Sequence, residues 1–302
     1  MTQSTAGPLI SVVIPTFNHL DFLRIAIDSV IAQTYENWEI VVIDNHSTDG
    51  TSEYLQNLEN PKIRIESIEN RGSIAKSRNL GVDIARGEWV AFLDSDDWWT
   101  DDKLEIVVGR MRSNDDFFFH GMRIEGESSL YPGLDQISGR RLHSPVFFDL
   151  LLKGNPIATS SVVLRRDLFI ESGGMNEGLE MKGVEDFNSW LKISRKTENF
   201  VHIDDFLGFY RIHTTNISAI SFSTIPWIAV DEFLEILSPR QTKRMIGNFE
   251  YVAGRLEFLN GKKSSVKTHL FKALTHGRWE QKLKSGWMFI LIFWKEIFHK
   301  LK

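Results

Sequence analysis

The chain has 302 residues, 42% of them hydrophobic and 12% aromatic, no cysteine and a formal charge of −5. That is ample for one large core, alone or with an appendage, and the missing cysteine excludes disulfides, a thiolate zinc site and a cysteine nucleophile. Charge is uneven: between Arg240 and Lys302 fourteen Lys and Arg face four Asp and Glu, which leaves that segment at +10 and the rest at −15, an acidic ligand-handling body with a basic tail. Met1 to Pro8 has neither the basic nor the apolar region of a signal peptide, so the expected location is cytoplasmic.

Leu9 to Pro15 reads as a buried strand stopped by Pro15. Asn18 then caps a helix in which Leu20, Leu23, Ile27, Val30 and Ile31 recur at helical spacing. Glu39 to Asp44 is a second strand, Ser52 to Leu58 a short helix, Lys62 to Glu66 a third strand, and Ser73 to Ala85 a helix ended by Arg86-Gly87. Glu88 to Leu93 is the fourth strand, apolar on both faces. This alternation predicts an α/β fold with a mostly parallel sheet flanked by helices. Further on, helices are expected over 101–112, 145–153, 166–172 and 184–196, and strands over 116–120, 158–164 and 206–212. Glu125 to Arg141, polar with Gly and Pro, is expected as a loop or hairpin. From about Ile225 the pattern is helical, over 227–237, 240–259, 264–275 and 281–301.

The fourth strand runs into Asp94-Ser95-Asp96-Asp97. Three carboxylates in four residues repel one another unless a cation sits among them, and hard oxygen ligands suit Mg²⁺ or Mn²⁺. Asp44 and Asp94 both end strands, so in a parallel sheet both line one crevice, the arrangement of a nucleotide site. No Gly-x-Gly-x-x-Gly or Gly-x-x-x-x-Gly-Lys-Ser/Thr loop accompanies them. Glu185-Asp186 opens a helix whose Phe187, Trp190, Leu191 and Ile193 pack inward, and a carboxylate held rigidly there can act as a general base. Arg211 and His213 fall on one side of a strand; the first suits a diphosphate and the second a metal.

These segments, Ser11 to Asn18, Gln33-Thr-Tyr, Trp38 to Gly50, Asn70-Arg-Gly, Ser77-Arg-Asn79, Gly87 to Asp97, Gly183 to Asp186 and Tyr210 to His213, stand in the order and spacing of the family 2 glycosyltransferases, which the chain resembles over roughly residues 9 to 218. The resemblance implies a GT-A fold over residues 1–222, with a nucleotide-binding half at 9–97 and an acceptor half at 98–222, followed by a helical basic extension at 223–302. It implies that Pro15, Thr16 and Phe17 border the base pocket, that Asp44 reads the base or ribose, and that Arg78 lines the nucleotide site. Asp94 and Ser95 then lie at the donor, Asp96 and His213 on Mn²⁺ or Mg²⁺, Arg211 on the diphosphate, and Asp186 acts as catalytic base. The activity implied is inverting transfer of one sugar from a nucleotide-sugar, UDP-linked, to a saccharide or lipid-linked saccharide in surface polysaccharide assembly. The chain departs from the family at Asn45 and His46, where relatives often have Asp and Gly. It also lacks the Gln-x-x-Arg-Trp signature of processive members, so single additions are expected.

Two other readings stand beside this one. A nucleotidyltransferase predicts a Gly-rich basic loop after the first strand, where this chain has Thr16-Phe17-Asn18-His19. An inactive saccharide-binding or scaffold relative predicts loss of Asp96 or Asp186, and both are present. In the tail, Gly286 to Trp294 is an apolar run between Lys284 and Lys295, shorter than the roughly 20 residues that span a bilayer. It reads either as a helix packed on its own domain or as an interfacial helix, with residues 284–302 resting peripherally on an anionic membrane at the cytoplasmic face. No nucleic-acid-binding fold accompanies the basic residues.

Overall fold

The computed structural model describes residues 7–126, 135–213, 225–259 and 265–300. Strands β1 (Ile10–Thr16), β2 (Trp38–Asp44), β3 (Ile63–Ser67) and β4 (Trp89–Phe92) form a parallel sheet in the order β3-β2-β1-β4. Helices α1 (Leu20–Ile31), α2 (Thr51–Gln56) and α3 (Ile74–Ile84) connect them. Every residue of β1, β2 and β4 is buried, because alternate side chains feed cores on opposite faces. Val13, Val41, Ile43, Val90 and Phe92 pack toward α3; Val12, Ile14, Ile40 and Val42 pack with Leu23, Ala26, Ile27 and Val30 of α1. The α3 helix lies so close to β1 that a methyl group at Gly81 would meet Val13 Cγ1 at 2.3 Å, which only glycine avoids.

Past β4 the sheet becomes mixed. The elements are β5 (Trp98–Trp99), α4 (Lys103–Arg110), β6 (Phe117–Gly126), β7 (Gln136–Ile137), α5 (Val146–Lys153), β8 (Val163–Arg165), α6 (Arg166–Glu171), α7 (Glu185–Ser194) and β9 (Phe200–Ile212). The order continues β4-β8-β6-β9-β5, with β7 on β6. β8 runs antiparallel to β4 and β6, β5 antiparallel to β9, and β6 parallel to β9.

Several boundaries differ from the sequence reading. The strand expected over 116–120 continues to Gly126, and the one expected over 206–212 starts at Phe200, because β6 and β9 pair along nearly their whole lengths. The strand expected over 158–164 is a 3₁₀ turn, Thr159–Ser161, followed by β8; the Ser161 hydroxyl donates to Ala158 O at 2.7 Å, a local bond that competes with strand pairing. The 125–141 region is in part a β6–β7 hairpin, and its residues 127–134 lie outside the described residues. β5 was not expected; two residues carry no readable period.

The C-terminal part is helical: α8 (Ile225–Val230), a 3₁₀ segment (Asp231–Ile236), α9 (Pro239–Leu259), α10 (Val266–His276) and α11 (Trp279–Lys300). Ala229, Phe233, Met245 and Phe249 enter the main core beside Phe147, Leu150 and Leu151 of α5. Val266, Leu270 and Met288 make a small separate cluster. Among the described residues no helix is long and apolar enough to cross a membrane. The expected 222/223 boundary lies outside the described residues.

Candidate active site

Parallel register sets the crevice. Thr16 of β1 stands opposite Asp44 of β2, and β4 pairs with β1 just before Asp94, so the three strand ends open on one edge. Asp44 is buried and both its oxygens are engaged: Ser47 N and Oγ donate to one at 3.1 and 2.6 Å, and Ser52 Oγ to the other at 2.5 Å. Its carboxylate therefore holds the 45–52 turn in place at the crevice floor. His46 in that turn has φ 54°, a conformation that suits the glycine frequent in relatives. Pro15 and Thr16 are buried, the Thr16 hydroxyl has no hydrogen-bond partner among the described residues, and Phe17 is 52% exposed at the rim. An orphan buried hydroxyl beside an exposed ring is a natural seat for a polar, flat ligand.

Arg78 of α3 is 3% exposed. Its Nη2 donates to Asp94 Oδ1 at 2.5 Å and its Nη1 to Glu185 Oε1 at 2.7 Å. Burial works against the guanidinium charge, but Asp94 and Glu185 hold it firmly protonated. Glu185 also accepts the Gly183 N–H at 2.6 Å. Arg78 thus does not face open solvent; it ties the end of β4 to the start of α7. Burial pushes the Asp94 carboxyl above its ordinary range, with Arg78 pulling the other way.

Asp186 is half-buried at the head of α7. Its Oδ1 accepts the Phe187 N–H at 2.6 Å; its Oδ2 accepts from Thr159 Oγ1 at 3.1 Å and Asn155 Nδ2 at 3.4 Å. Burial pushes its carboxyl up to about 7, the Glu185 charge adds to this, and Arg78 and the hydrogen bonds oppose it. A carboxylate with that value is suited to take a proton near neutrality. The helix beneath it is fixed by Trp190, fully buried against Phe92 and Phe117 with ring centroids 6.2 and 5.0 Å away.

On the other side of Asp94, β5 pairs with Gly208 and Phe209 of β9 and so delivers the end of β9 to the acidic turn. Arg211 N donates to Asp97 Oδ1 at 3.0 Å, and Arg211 Nε to Asp96 O at 3.1 Å. The Arg211 guanidinium lies between the rings of Phe22 and Trp98, 4.8 and 4.4 Å from their centroids. His213 Nε2 and Asp96 Oδ2 share a hydrogen bond of 2.8 Å. His19 Nδ1 and Ser95 Oγ share one of 3.0 Å, and the His19 ring stands edge-on to His213. Beneath the turn, Asp97 and Lys103 are both buried. Burial raises the Asp97 carboxyl, and so do Asp96 and Asp94. Burial also lowers the Lys103 ammonium, which donates to Ser160 O at 3.0 Å and lies 3.2 Å from the Trp99 ring centroid.

Asp96 and His213 offer one hard oxygen and one borderline nitrogen, a donor pair that fits Mn²⁺ and less well the all-oxygen preference of Mg²⁺. Among the described residues no group of three or more His, Asp or Glu forms a ready-made cage.

Glu185, Thr159, Asn155, His19, Phe22 and Trp98 were not singled out individually from the sequence. Glu185 lies within the Gly183 to Asp186 motif and Trp98 adjoins the acidic turn, which is a usable signal. Thr159 and Asn155 reach Asp186 only through the fold.

The Glycosyl transferase family 2 model matches residues 11–173. The chain belongs to glycosyl transferase family 2. TuaG of Bacillus subtilis (strain 168), named for teichuronic acid biosynthesis, is 30% identical over 217 residues, covering 70% of this glycosyltransferase and 82% of TuaG. The UDP-Glc:alpha-D-GlcNAc-diphosphoundecaprenol beta-1,3-glucosyltransferase WfaP of Escherichia coli is 28% identical over 250 residues, 82% of this chain and 94% of WfaP. Among solved structures, S. aureus TarS in complex with UDP-GlcNAc superposes with a TM-score of 0.62 at 17% identity, covering 88% of this chain and 79% of that one. The mannosyltransferase PcManGT from Pyrobaculum calidifontis, in complex with GDP-Man and Mn²⁺, gives 0.54 at 17% identity over 95% and 81%. At that identity the two structures speak for the fold, the GT-A type expected for this glycosyltransferase.

Proposed function

We propose that this glycosyltransferase moves one sugar from a UDP-sugar to a saccharide or lipid-linked saccharide in surface polysaccharide assembly, with inversion and with a divalent metal. The observation that carries this reading is the Asp94–Arg78–Glu185 bridge, which fixes the strand end assigned to the donor against the helix that carries Asp186. WfaP, which is named for UDP-Glc and a diphosphoundecaprenol acceptor, supports the donor and acceptor classes, and PcManGT with Mn²⁺ supports the metal.

In this reading Thr16, Phe17 and the Asp44 turn receive the nucleoside, and Asp94 and Ser95 the donor ribose and sugar. Arg211 steadies the diphosphate. A metal held by Asp96 and His213 would offset the charge growing on the leaving diphosphate. Thr159 and Asn155 aim the Asp186 carboxylate at the acceptor hydroxyl. Asp186 takes the hydroxyl proton as the oxygen attacks the anomeric carbon; the bond from that carbon to the diphosphate oxygen breaks, and nucleoside diphosphate leaves from the opposite face. Residues 1–222 form the transferase unit, with the acceptor side in 98–222, and 223–302 its helical extension. Work at the cytoplasmic face, with 284–302 touching the membrane peripherally, belongs to the same reading.

The test is release of UDP from a panel of UDP-sugars with Mn²⁺ and a lipid-diphosphate-linked saccharide acceptor. Acceptor-dependent release and an inverted product linkage are expected. Acceptor-independent behaviour across the panel, or activity with another nucleotide alone, would overturn the reading.

A further inference from the structure

A cleft of about 720 Å³ opens between the C-terminal end of α5, the start of α9 and the α10–α11 turn. Its walls include Lys153, Arg240, Lys243, Arg244, Arg278 and Lys282. Lys153 pairs with Asp149, and Arg278 lies 3.8 Å from Glu280. Arg240, Lys243, Arg244 and Lys282 have no carboxylate within ion-pair distance among the described residues.

These cations run against helix electrostatics. Arg240, Lys243 and Arg244 occupy the first two turns of α9, and Lys282 the first turn of α11. In a first turn the positive end of the dipole disfavours a cation such as Arg240 or Lys282; the first turn of α9 holds no acidic residue, and that of α11 holds Glu280. They do not serve their own helices. Two positive helix ends and a ring of cationic side chains converge on the cleft, opposed by the carbonyl end of α10 at His276. This is a setting for a phosphate-type anion.

The cleft rim continues into an apolar stripe. Trp279, Leu283, Trp287, Ile290, Leu291 and Trp294 recur at helical spacing along α11 and are 39 to 67% exposed. The opposite face, with Ser285 and Met288, is the one buried, Met288 against Val266 and Leu270. So the stripe is not what packs the extension. A basic cleft that passes into an apolar helix face, in a chain whose described helices do not cross a membrane, is complementary in charge and in hydrophobicity to an anionic bilayer surface.

We propose that the cleft binds the phosphate head group of an anionic membrane lipid while the α11 stripe enters the same bilayer surface. The geometry places this contact on the acceptor side. Lys153 of the cleft is two residues from Asn155, whose Nδ2 lies 3.4 Å from Asp186 Oδ2. The membrane contact of 284–302 and this orientation rest on the proposed function; the head-group cleft goes beyond it.

Cosedimentation of the full chain with phosphatidylcholine vesicles, with and without phosphatidylglycerol, tests it. Wild type is expected to bind the anionic vesicles. Arg240→Ala/Lys243→Ala/Arg244→Ala is expected to bind them roughly 10²-fold more weakly, with its thermal melt and UDP binding unchanged. Trp287→Ser/Trp294→Ser is expected to lose vesicle binding but keep the wild-type affinity for inorganic pyrophosphate. Equal binding of wild type to neutral and anionic vesicles, full binding by the triple variant, pyrophosphate binding by wild type without vesicle binding, or preference of wild type for an oligonucleotide would each overturn the proposal. Loss of UDP binding in wild type would remove the transfer reading and leave the vesicle result standing.

Discussion

Arg78 and Glu185 meet at 2.7 Å in the interior, which joins α3 to the helix that carries Asp186. Arg78→Met leaves the buried Glu185 and the partly buried Asp94 without the cation they share. Breaking one partner out of a buried ion network costs about 3–5 kcal/mol. Chemical denaturation should show a loss of that size; a change under roughly 1 kcal/mol, the scale of an exposed pair, would mean the bridge is solvated.

Asp186 must be unprotonated to accept a proton, and its carboxyl is held up at about 7. Turnover should therefore rise with pH through about 7 and level off above it. Glu185 raises this value and Thr159 lowers it. The acid limb of the pH–rate profile should shift down in Glu185→Gln and up in Thr159→Val. Shifts in the same direction would contradict the assignment.

Asp186→Asn keeps the size of the side chain and removes the carboxylate proposed as base. Turnover should fall roughly 10²-fold or more, while UDP affinity by calorimetry stays at the wild-type value. Undiminished turnover would remove Asp186 from its role.

Trp190 packs against Phe92 and Phe117, and its indole N–H has no hydrogen-bond partner among the described residues. Trp190→Ala should destabilise by about 3–5 kcal/mol. Trp190→Phe should cost less, because it keeps a ring in place and removes the orphan donor. Urea unfolding of the two variants tests the order.

Much of this was legible along the chain. Strands β1, β2 and β4 announce themselves because buried parallel strands are continuous apolar runs, and Asp44 at the end of β2 and Asp94 just past β4 mark the crevice edge. The pattern fails where pairing partners are distant. The true lengths of β6 and β9 come from each other, and Trp98–Trp99 becomes a strand only because β9 lies beside it. The same holds in the site. Asp94, Asp96 and Asp186 stand out as local clusters. Arg78 reads as a residue lining the nucleotide site, yet its guanidinium joins Asp94, 16 residues away, to Glu185, 107 residues away, a relationship with no local signature.

The central claim is that the acidic turn after β4 is a metal-dependent donor site. Calorimetric titration of UDP, with and without Mn²⁺, into wild type and Asp96→Ala tests it most directly. The account predicts UDP binding that requires Mn²⁺ in wild type and is lost in the variant. Binding that ignores the metal, or that survives unchanged in Asp96→Ala, would contradict it.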